Sequence, residues 1–394
     1  MSTATEEYVP SRIKSTSPLH EPRLLTASQR DVFRRRSTAS RRARQDALDG
    51  RGPEPVHEVN KPVFDPMLLM QPQENNGLAT LSLFSGGGGL DLGFDLAGFE
   101  HLGSWEIMDE AAATLRAARP EWQVHGSGDG DVRGVDWRTY RGNVAVLHGG
   151  PPCQPFSHAG RQRGSDDPRD MWPEYVRAVK QVRPDVFVAE NVAALVSAPF
   201  STYVDETIMR PLSGLYTITP VIVQAYEFGV PQLRRRVVFF GFRSAALAKR
   251  WRPPEPRFRR PGTLDTGTAE TMGLRQALGL PSIGFDDVSP TIRSTLTGPR
   301  HTTSVLSSVS AQRKFEQLQV WPNGVAATRE AASAFVAKNG HFRLSVPDVA
   351  LIQGFPESWQ FTGAVYMQLG QIGNAGAPPV AYAVARSVAS AFSK

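Results

Sequence analysis

The feature that most constrains this chain is the alternation, from Leu78 onward, of short apolar runs with stretches of helical period. Leu78 to Phe84 reads as a buried strand, and the glycines Gly86 to Gly89 turn the chain into a helix ending near Gly98. His101 to Glu106 is a second strand, followed by a helix over Ala111 to Ala118. Val144 to His148 and Val186 to Ala189 are further short strands, with an amphipathic helix over Asp170 to Val182 between them. This order predicts an α/β fold with a doubly wound, mostly parallel, Rossmann-like sheet. Val221 to Tyr226 and Val237 to Phe242 are expected to close it as an antiparallel pair.

The flanks differ from this core. Residues 1–77 are rich in Ser, Pro, Arg and Gln and lack a sustained apolar period, so we expect a basic extension, partly disordered. Within it, Arg30 to Arg44 is dense in arginine and suits either an arm along a polyanion or a solvated tail. Residues 78–243 form the expected catalytic and cofactor-binding domain. Residues 244–340 carry many Pro, Gly, Ser and Thr and read as a separate, irregular domain. Residues 341–394 return to the first domain, with Val380 to Phe392 as a helix packed on its sheet.

Composition excludes some classes. No apolar run approaches the roughly 20 residues that span a bilayer, and Met1 to Pro10 is polar and acidic, so a cytoplasmic protein without membrane attachment is expected. One cysteine among 394 residues leaves no internal disulfide and no multi-cysteine zinc site; no metal is expected. Of the 44 basic residues 37 are Arg and 7 are Lys, with a net charge of +6. That excess suits a nucleic-acid partner, because arginine neutralises phosphates and reads guanine edges. A GC-rich genome would produce the same bias, so charge leaves the matter open.

The chemistry-bearing residues fall at strand ends. The turn Phe84-Ser85-Gly86-Gly87-Gly88-Gly89 lets backbone approach a ligand at a helix N-terminus, although a tight structural turn would use the same glycines. Glu106 closes the second strand, where a carboxylate can grip ribose hydroxyls, and Asp131 follows in place to meet an adenine amino group. No Lys-Ser/Thr follows the glycines, so this is not a Walker loop. The sole cysteine, Cys153, lies in Gly149-Gly150-Pro151-Pro152-Cys153-Gln154-Pro155-Phe156-Ser157, a rigid loop just beyond a strand. Glu190 ends another strand in Glu190-Asn191-Val192, and Gln232-Leu233-Arg234-Arg235-Arg236 brings guanidinium groups to the antiparallel pair. Glu190 also suits a helix cap and the arginines a solvated surface. A nucleophile, an acid and cations at successive strand ends nonetheless favour one site.

Taken in order, FSGGGGL, GGPPCQPFS, ENV, QLRRR and QIGNAGAPP resemble the DNA (cytosine-5) methyltransferase family, over Leu81 to Pro379, about three quarters of the chain. The resemblance implies a Rossmann-like S-adenosylmethionine-dependent methyltransferase sheet with a smaller target-recognition domain at residues 244–340. It implies S-adenosyl-L-methionine as cofactor, held by Phe84, Gly86, Gly88, Glu106, Ile107, Asp131, Val132, Pro152, Asn374 and Ala375. Met108 and Gly376 depart from the family's usual Asp and Val. Cys153 is implied as the nucleophile toward C6 of a flipped-out cytosine, with Glu190 at N3 and Arg234 and Arg236 positioning the base. Arg161 to Pro168 resembles the family's mobile catalytic loop, and residues 160–164 are the expected closing lid. The base that removes the C5 proton is not identified.

The implied partner is double-stranded DNA, contacted by Gln154, Ser157, Arg293, Arg300, His301 and Thr302; the last four lie in the run Pro290 to Thr303. That run suits local packing as well as base reading. A monomer is expected, protecting a short DNA site from a cognate restriction endonuclease that acts on the same site without being bound. Alternatives are a tRNA cytosine-5 methyltransferase on the same scaffold, a catalytically inactive DNA-binding regulator, and a nicotinamide-dependent oxidoreductase. The last has no use for Pro-Cys-Gln at that position.

Overall fold

The computed structural model describes residues 58–152, 170–264, 267–296, 302–334 and 340–393, together with a few isolated positions before residue 58. The first half follows the alternation read from the sequence. Strand β1 (Ala79–Leu83) leads through the glycine turn into helix α1 (Gly89–Leu96), and β2 (Glu100–Trp105) leads into α2 (Asp109–Ala118). Then come β3 (Val124–His125), β4 (Val146–Gly149), α3 (Trp172–Val182), β5 (Val186–Val192), β6 (Thr217–Gln224) and β7 (Arg235–Phe242). The seven strands form one sheet in the order β3-β2-β1-β4-β5-β7-β6. The neighbours from β3 to β5 pair parallel, and β7 runs antiparallel between β5 and β6. Strand order therefore reverses between β1 and β4, the crevice where open α/β sheets take their ligands.

The period-two alternation of strand side chains builds two cores, one on each face. Phe187 and Ala189 of β5 and Phe239 of β7 join Trp172, Tyr175 and Val179 of α3 on one face. Val186 and Val188 of β5 and Phe240 and Phe242 of β7 join Phe94 of α1 on the other. Helix α3 starts two residues later than expected, because the Asp170 carboxylate accepts from the Trp172 N–H (3.1 Å) and Pro173 occupies the first turn. Strand β5 runs three residues further than expected, because Glu190, Asn191 and Val192 pair with Val238, Val237 and Arg236 of β7.

After β7 the chain forms helix α4 (Val309–Gln317), β8 (Val320–Ala326), β9 (Phe342–Ser345), α5 (Val346–Gln353), α6 (Val365–Asn374) and α7 (Pro378–Phe392), with shorter elements between. Helix α7 packs on the sheet as expected: Val384, Ala385 and Val388 join Val146 and Val186. Strands β8 and β9 lie on either side of the expected boundary at residue 340 and pair parallel, Val320 opposite Phe342. Leu274, Ile292, Phe315 and Val320 share one apolar cluster with Leu351, Phe355, Leu369 and Ile372.

The expected basic extension, residues 1–77, is described continuously from residue 58. Residues 58–77 are packed against the body: Phe64 and Met70 are buried, and Tyr382 Oη donates to the Gln71 carbonyl (2.7 Å). Asn60 Nδ2 reaches Asp348 (3.0 Å), a carboxylate that caps α5 and also accepts from Arg329 (2.9 Å). The apolar residues of this strap, among them Val63, Phe64 and the run Met67 to Met70, follow no regular period, so its long-range partners reveal it. Among the described residues no helix is long and apolar enough to cross a membrane.

Candidate active site

On the cofactor side, the turn after β1 is built for close approach. Phe84 and Gly86 both take left-handed φ (57° and 56°), which costs a non-glycine residue strain and leaves glycine unpenalised. A Cβ at Gly86 would meet nothing nearer than 3.9 Å, so this glycine faces open space. Gly88 differs: a Cβ there would lie 2.6 Å from the Trp359 ring, whose indole N–H donates to the Gly87 carbonyl (3.0 Å). One glycine of the turn leaves room for a ligand and the other lets the protein close behind it.

Glu106 sits just past β2 and braces this turn. Its two oxygens accept from the N–H groups of Gly86 (2.7 Å) and Met108 (2.8 Å). Burial raises its pKa, and those two N–H groups pull it back. A carboxylate has further lone pairs to offer ribose hydroxyls. Ile107 beside it is 40% exposed, an apolar surface at the mouth of the turn. Val132 is buried under the rim. Asp131 is already engaged: Arg133 grips its carboxylate (2.6 Å) and holds its pKa low. At the far end of the chain, Asn374 is exposed while Ala375 is buried. The Gly376 carbonyl lies so close to Gly89 that a Cβ there would sit 2.0 Å from it. The C-terminal Gly-Asn motif thus stands against the glycine turn. Open backbone at Gly86, an acidic brace and a flanking apolar side chain fit an adenosine-containing cofactor.

Across the crevice, β4 ends at Gly149 and passes into Gly150, Pro151 and the half-buried Pro152. The Pro151 carbonyl accepts from Asn191 Nδ2 (3.0 Å), a buried residue of β5, so the root of the proline loop is tied to the neighbouring strand. Cys153, Gln154 and Ser157, with the expected lid at 160–164 and the loop Arg161 to Pro168, lie outside the described residues. Glu190 lies beside that root, its Oε2 3.6 Å from where a Gly150 Cβ would be. Glu190 sits opposite Val238 and Arg236 opposite Val192, so the two are diagonal neighbours on one face. Arg236 Nε closes on Glu190 Oε1 at 2.8 Å.

Arg234, expected beside Arg236 at the base, is 2% exposed; it lines one cavity with Glu190 and Arg236 and turns its guanidinium to the C-terminal segment. Its Nη2 donates to the carbonyls of Gly373 (3.1 Å) and Ala375 (2.7 Å), and Nη1 reaches the Ile292 carbonyl (3.4 Å). It precedes β7, and the end of α6 supplies carbonyls without intrahelical partners, which a buried cation satisfies.

The run expected to read DNA divides in two. Ile292, Ser294 and Thr295 are buried. Ser294 Oγ donates to the Gly370 carbonyl (3.2 Å), and Thr295 Oγ1 donates to that of Tyr366. These side chains hold α6. Arg293 between them is half-buried, its backbone N–H on the Val305 carbonyl (3.1 Å). Thr302 is exposed and its hydroxyl accepts from the Ser304 N–H (2.8 Å). Arg300 and His301 lie outside the described residues. Sequence reasoning missed Trp359 and Gln353 and gave Gln232 no role of its own, although it opens the arginine motif; all three are buried. None belongs to an apolar period. The one signal was polarity inside the apolar stretch Leu351 to Phe355.

Comparison with known proteins gives the family. The family model described as C-5 cytosine-specific DNA methylase matches residues 78–390. The chain is 34% identical over 316 residues to the Type II methyltransferase M.NgoMIV of Neisseria gonorrhoeae, spanning 80% of this chain and 98% of that protein. It is 30% identical to M.Eco47II of Escherichia coli, spanning 81% of each. The crystal structure of an E. coli prophage-encoded DNA modification methyltransferase has the same fold (TM-score 0.52, 23% identity, 79% of this chain and 98% of that one). The chain therefore belongs to the C-5 cytosine-specific DNA methylase family: it is a DNA (cytosine-5) methyltransferase whose cofactor is S-adenosylmethionine.

Proposed function

We propose that this enzyme methylates C5 of a flipped-out cytosine in a short double-stranded DNA sequence, through a covalent adduct between Cys153 and C6. The observation that carries the reading is the Glu190–Arg236 pair beside Gly150, at the root of the loop that leads to Cys153. C5 of cytosine is a weak nucleophile, and C6 is out of reach in a duplex, so the base must leave the stack. A cysteine thiol has a pKa of roughly 8.5, and its thiolate is the attacking form. Cys153 adds to C6, and the ring electrons move toward N3, where Glu190 stabilises the developing charge by sharing a proton. Arg236 orients the Glu190 carboxylate and faces the base alongside it. Phe84, Gly86, Gly88, Glu106, Ile107, Asp131, Val132, Pro152, Asn374 and Ala375 would hold S-adenosylmethionine, which when bound would supply the electrophilic methyl group that C5 takes up. Loss of the C5 proton then expels the Cys153 thiolate and restores the ring.

Residues 244–340 serve target recognition in this reading, with Arg293, Arg300, His301 and Thr302 toward DNA, and Gln154 and Ser157 beside the flipped base. The names of the relatives support a role in restriction–modification, in which methylation protects host DNA from a nuclease of the same specificity. The enzyme acts as a monomer in the cytoplasm, without binding that nuclease. Bisulfite sequencing of DNA from cells expressing the protein tests this directly. The expected result is C5 methylation at one short motif, abolished in Cys153→Ala. Methylation at cytosine N4 or adenine N6, transfer to tRNA alone, or full activity in Cys153→Ala would refute it.

A further inference from the structure

The strand that carries Arg236 is joined to the cofactor side of the crevice by a buried chain of amides. Gln232 and Gln353 are both 0% exposed. Gln232 Nε2 donates to Gln353 Oε1 (2.8 Å), and Gln353 Nε2 donates to the Ala375 carbonyl (2.7 Å). Arg234 Nη2 donates to that same carbonyl (2.7 Å) and to Gly373 (3.1 Å). The carbonyls on either side of Asn374 are thus held by buried donors, while Asn374 itself is exposed. Gln232 is fixed in turn, its Oε1 accepting from the Ile292 N–H (3.1 Å). An amide both accepts from Gln232 and donates to Ala375; a carboxylate of similar size fails at one end and an aliphatic chain at both. A buried polar chain of this kind is costly when half-satisfied and holds a single geometry when complete.

We infer that Gln353 is a positioning residue for cofactor binding: together with Arg234 it clamps the Ala375 carbonyl and so fixes the backbone that presents Asn374. The inference rests on the assignment of Asn374 to the cofactor. Helix α6 ends at Asn374, where its last carbonyls lack intrahelical partners, and without the clamp this turn is free to fray. Gln353 touches neither substrate nor cofactor and acts through the placement of Asn374.

A double-mutant cycle on the full chain tests the clamp, with S-adenosylmethionine affinity read by calorimetry and KM for cofactor and for DNA measured in parallel. Gln353→Met keeps the volume and removes both hydrogen bonds. It is expected to weaken S-adenosylmethionine about tenfold, the effect of losing one buried hydrogen bond, with KM for DNA unchanged. In an Asn374→Ala background the same change is expected to cost less than about twofold, because the group it positions is gone. Equal losses in both backgrounds, or no loss in the first, overturn the clamp alone. If Asn374→Ala leaves affinity unchanged, the assignment of Asn374 fails and the clamp falls with it. Should Gln353→Met fail to fold, Gln232→Met removes the neighbour that orients Gln353 and is read in the same cycle.

Discussion

The rim of the sheet and the segment from Val288 to Leu296 lie close together and use polar side chains in opposite ways. In the sheet, the ladders satisfy the backbone, so a side chain at a strand end is left over for chemistry. Glu190 and Arg236 are such residues: they meet each other across two strands and remain at the crevice. The segment 288–296 has little ladder of its own. Its Thr291, Ser294 and Thr295 hydroxyls supply the hydrogen bonds that helix ends and loops lack. The two regions meet in Gln232-Leu233-Arg234-Arg235-Arg236. Arg234 belongs with the packed segment and Arg236 with the rim, although they stand two residues apart. Similar residue types thus divide between chemistry and packing according to whether nearby backbone is already satisfied.

That contrast breaks most readily at the two arginines. Arg234→Met leaves the Gly373 carbonyl without its buried donor and the Ala375 carbonyl with Gln353 alone, and stability should fall by about 3 kcal/mol. Arg236→Met leaves the largely buried Glu190 carboxylate without its cation, so it should cost about 1–2 kcal/mol of stability and cut kcat about 100-fold. Urea unfolding and single-turnover methylation of both variants decide it; matching profiles would erase the distinction.

Acid should unsettle the sheet through a residue behind the rim. His148 on β4 is fully buried and stacked on Phe94 at 4.3 Å, and burial lowers its pKa to about 4. Asp91 and His101 face it, the first raising and the second lowering that value. An unfolded histidine titrates near 6.5, so between about pH 6.5 and 4 the unfolded state binds the extra proton and stability falls with pH. The His148 contribution reaches about 3 kcal/mol at the acid end. His101, also lowered to about 4, adds a slope of its own. Unfolding followed from pH 7 to 4 should be less steep in His148→Phe than in wild type; equal slopes would remove His148 from the account.

The smallest effect separates the halves of the recognition run. Thr295→Val removes the hydroxyl that holds the Tyr366 carbonyl and should cost about 1 kcal/mol of stability, with the methylated motif unchanged. Thr302→Ala should leave stability within about 0.5 kcal/mol, any effect appearing in DNA affinity. A changed motif in Thr295→Val, read by bisulfite sequencing, would move the recognition surface into the packed segment.

Much of the site was legible because its chemistry is local. A proline-rich loop after β4, a Glu-Asn-Val at the end of β5 and a glycine turn after β1 each need contiguous residue types. Parallel order then brings the strand ends to one rim. Asp131 shows the limit: a carboxylate after the second strand was readable, but its grip on Arg133 was not. Residues 58–77, Gln353 and the burial of Arg234 were invisible because their partners are far along the chain. Arg234 contacts a carbonyl 141 residues away, and Tyr382 one 311 residues away.

By itself the sequence determined the alternation of strands and helices, the sheet that follows from it, and the residue types at the strand ends. Hydrophobic period and turn chemistry are properties of neighbours in the chain. Tertiary structure decided which partners Arg234 and Arg236 take, that residues 58–77 pack on the body, and which threonines pack instead of facing solvent. Those outcomes depend on which backbone carbonyls and N–H groups remain unpaired once the elements have docked, and docking joins residues that no local pattern relates.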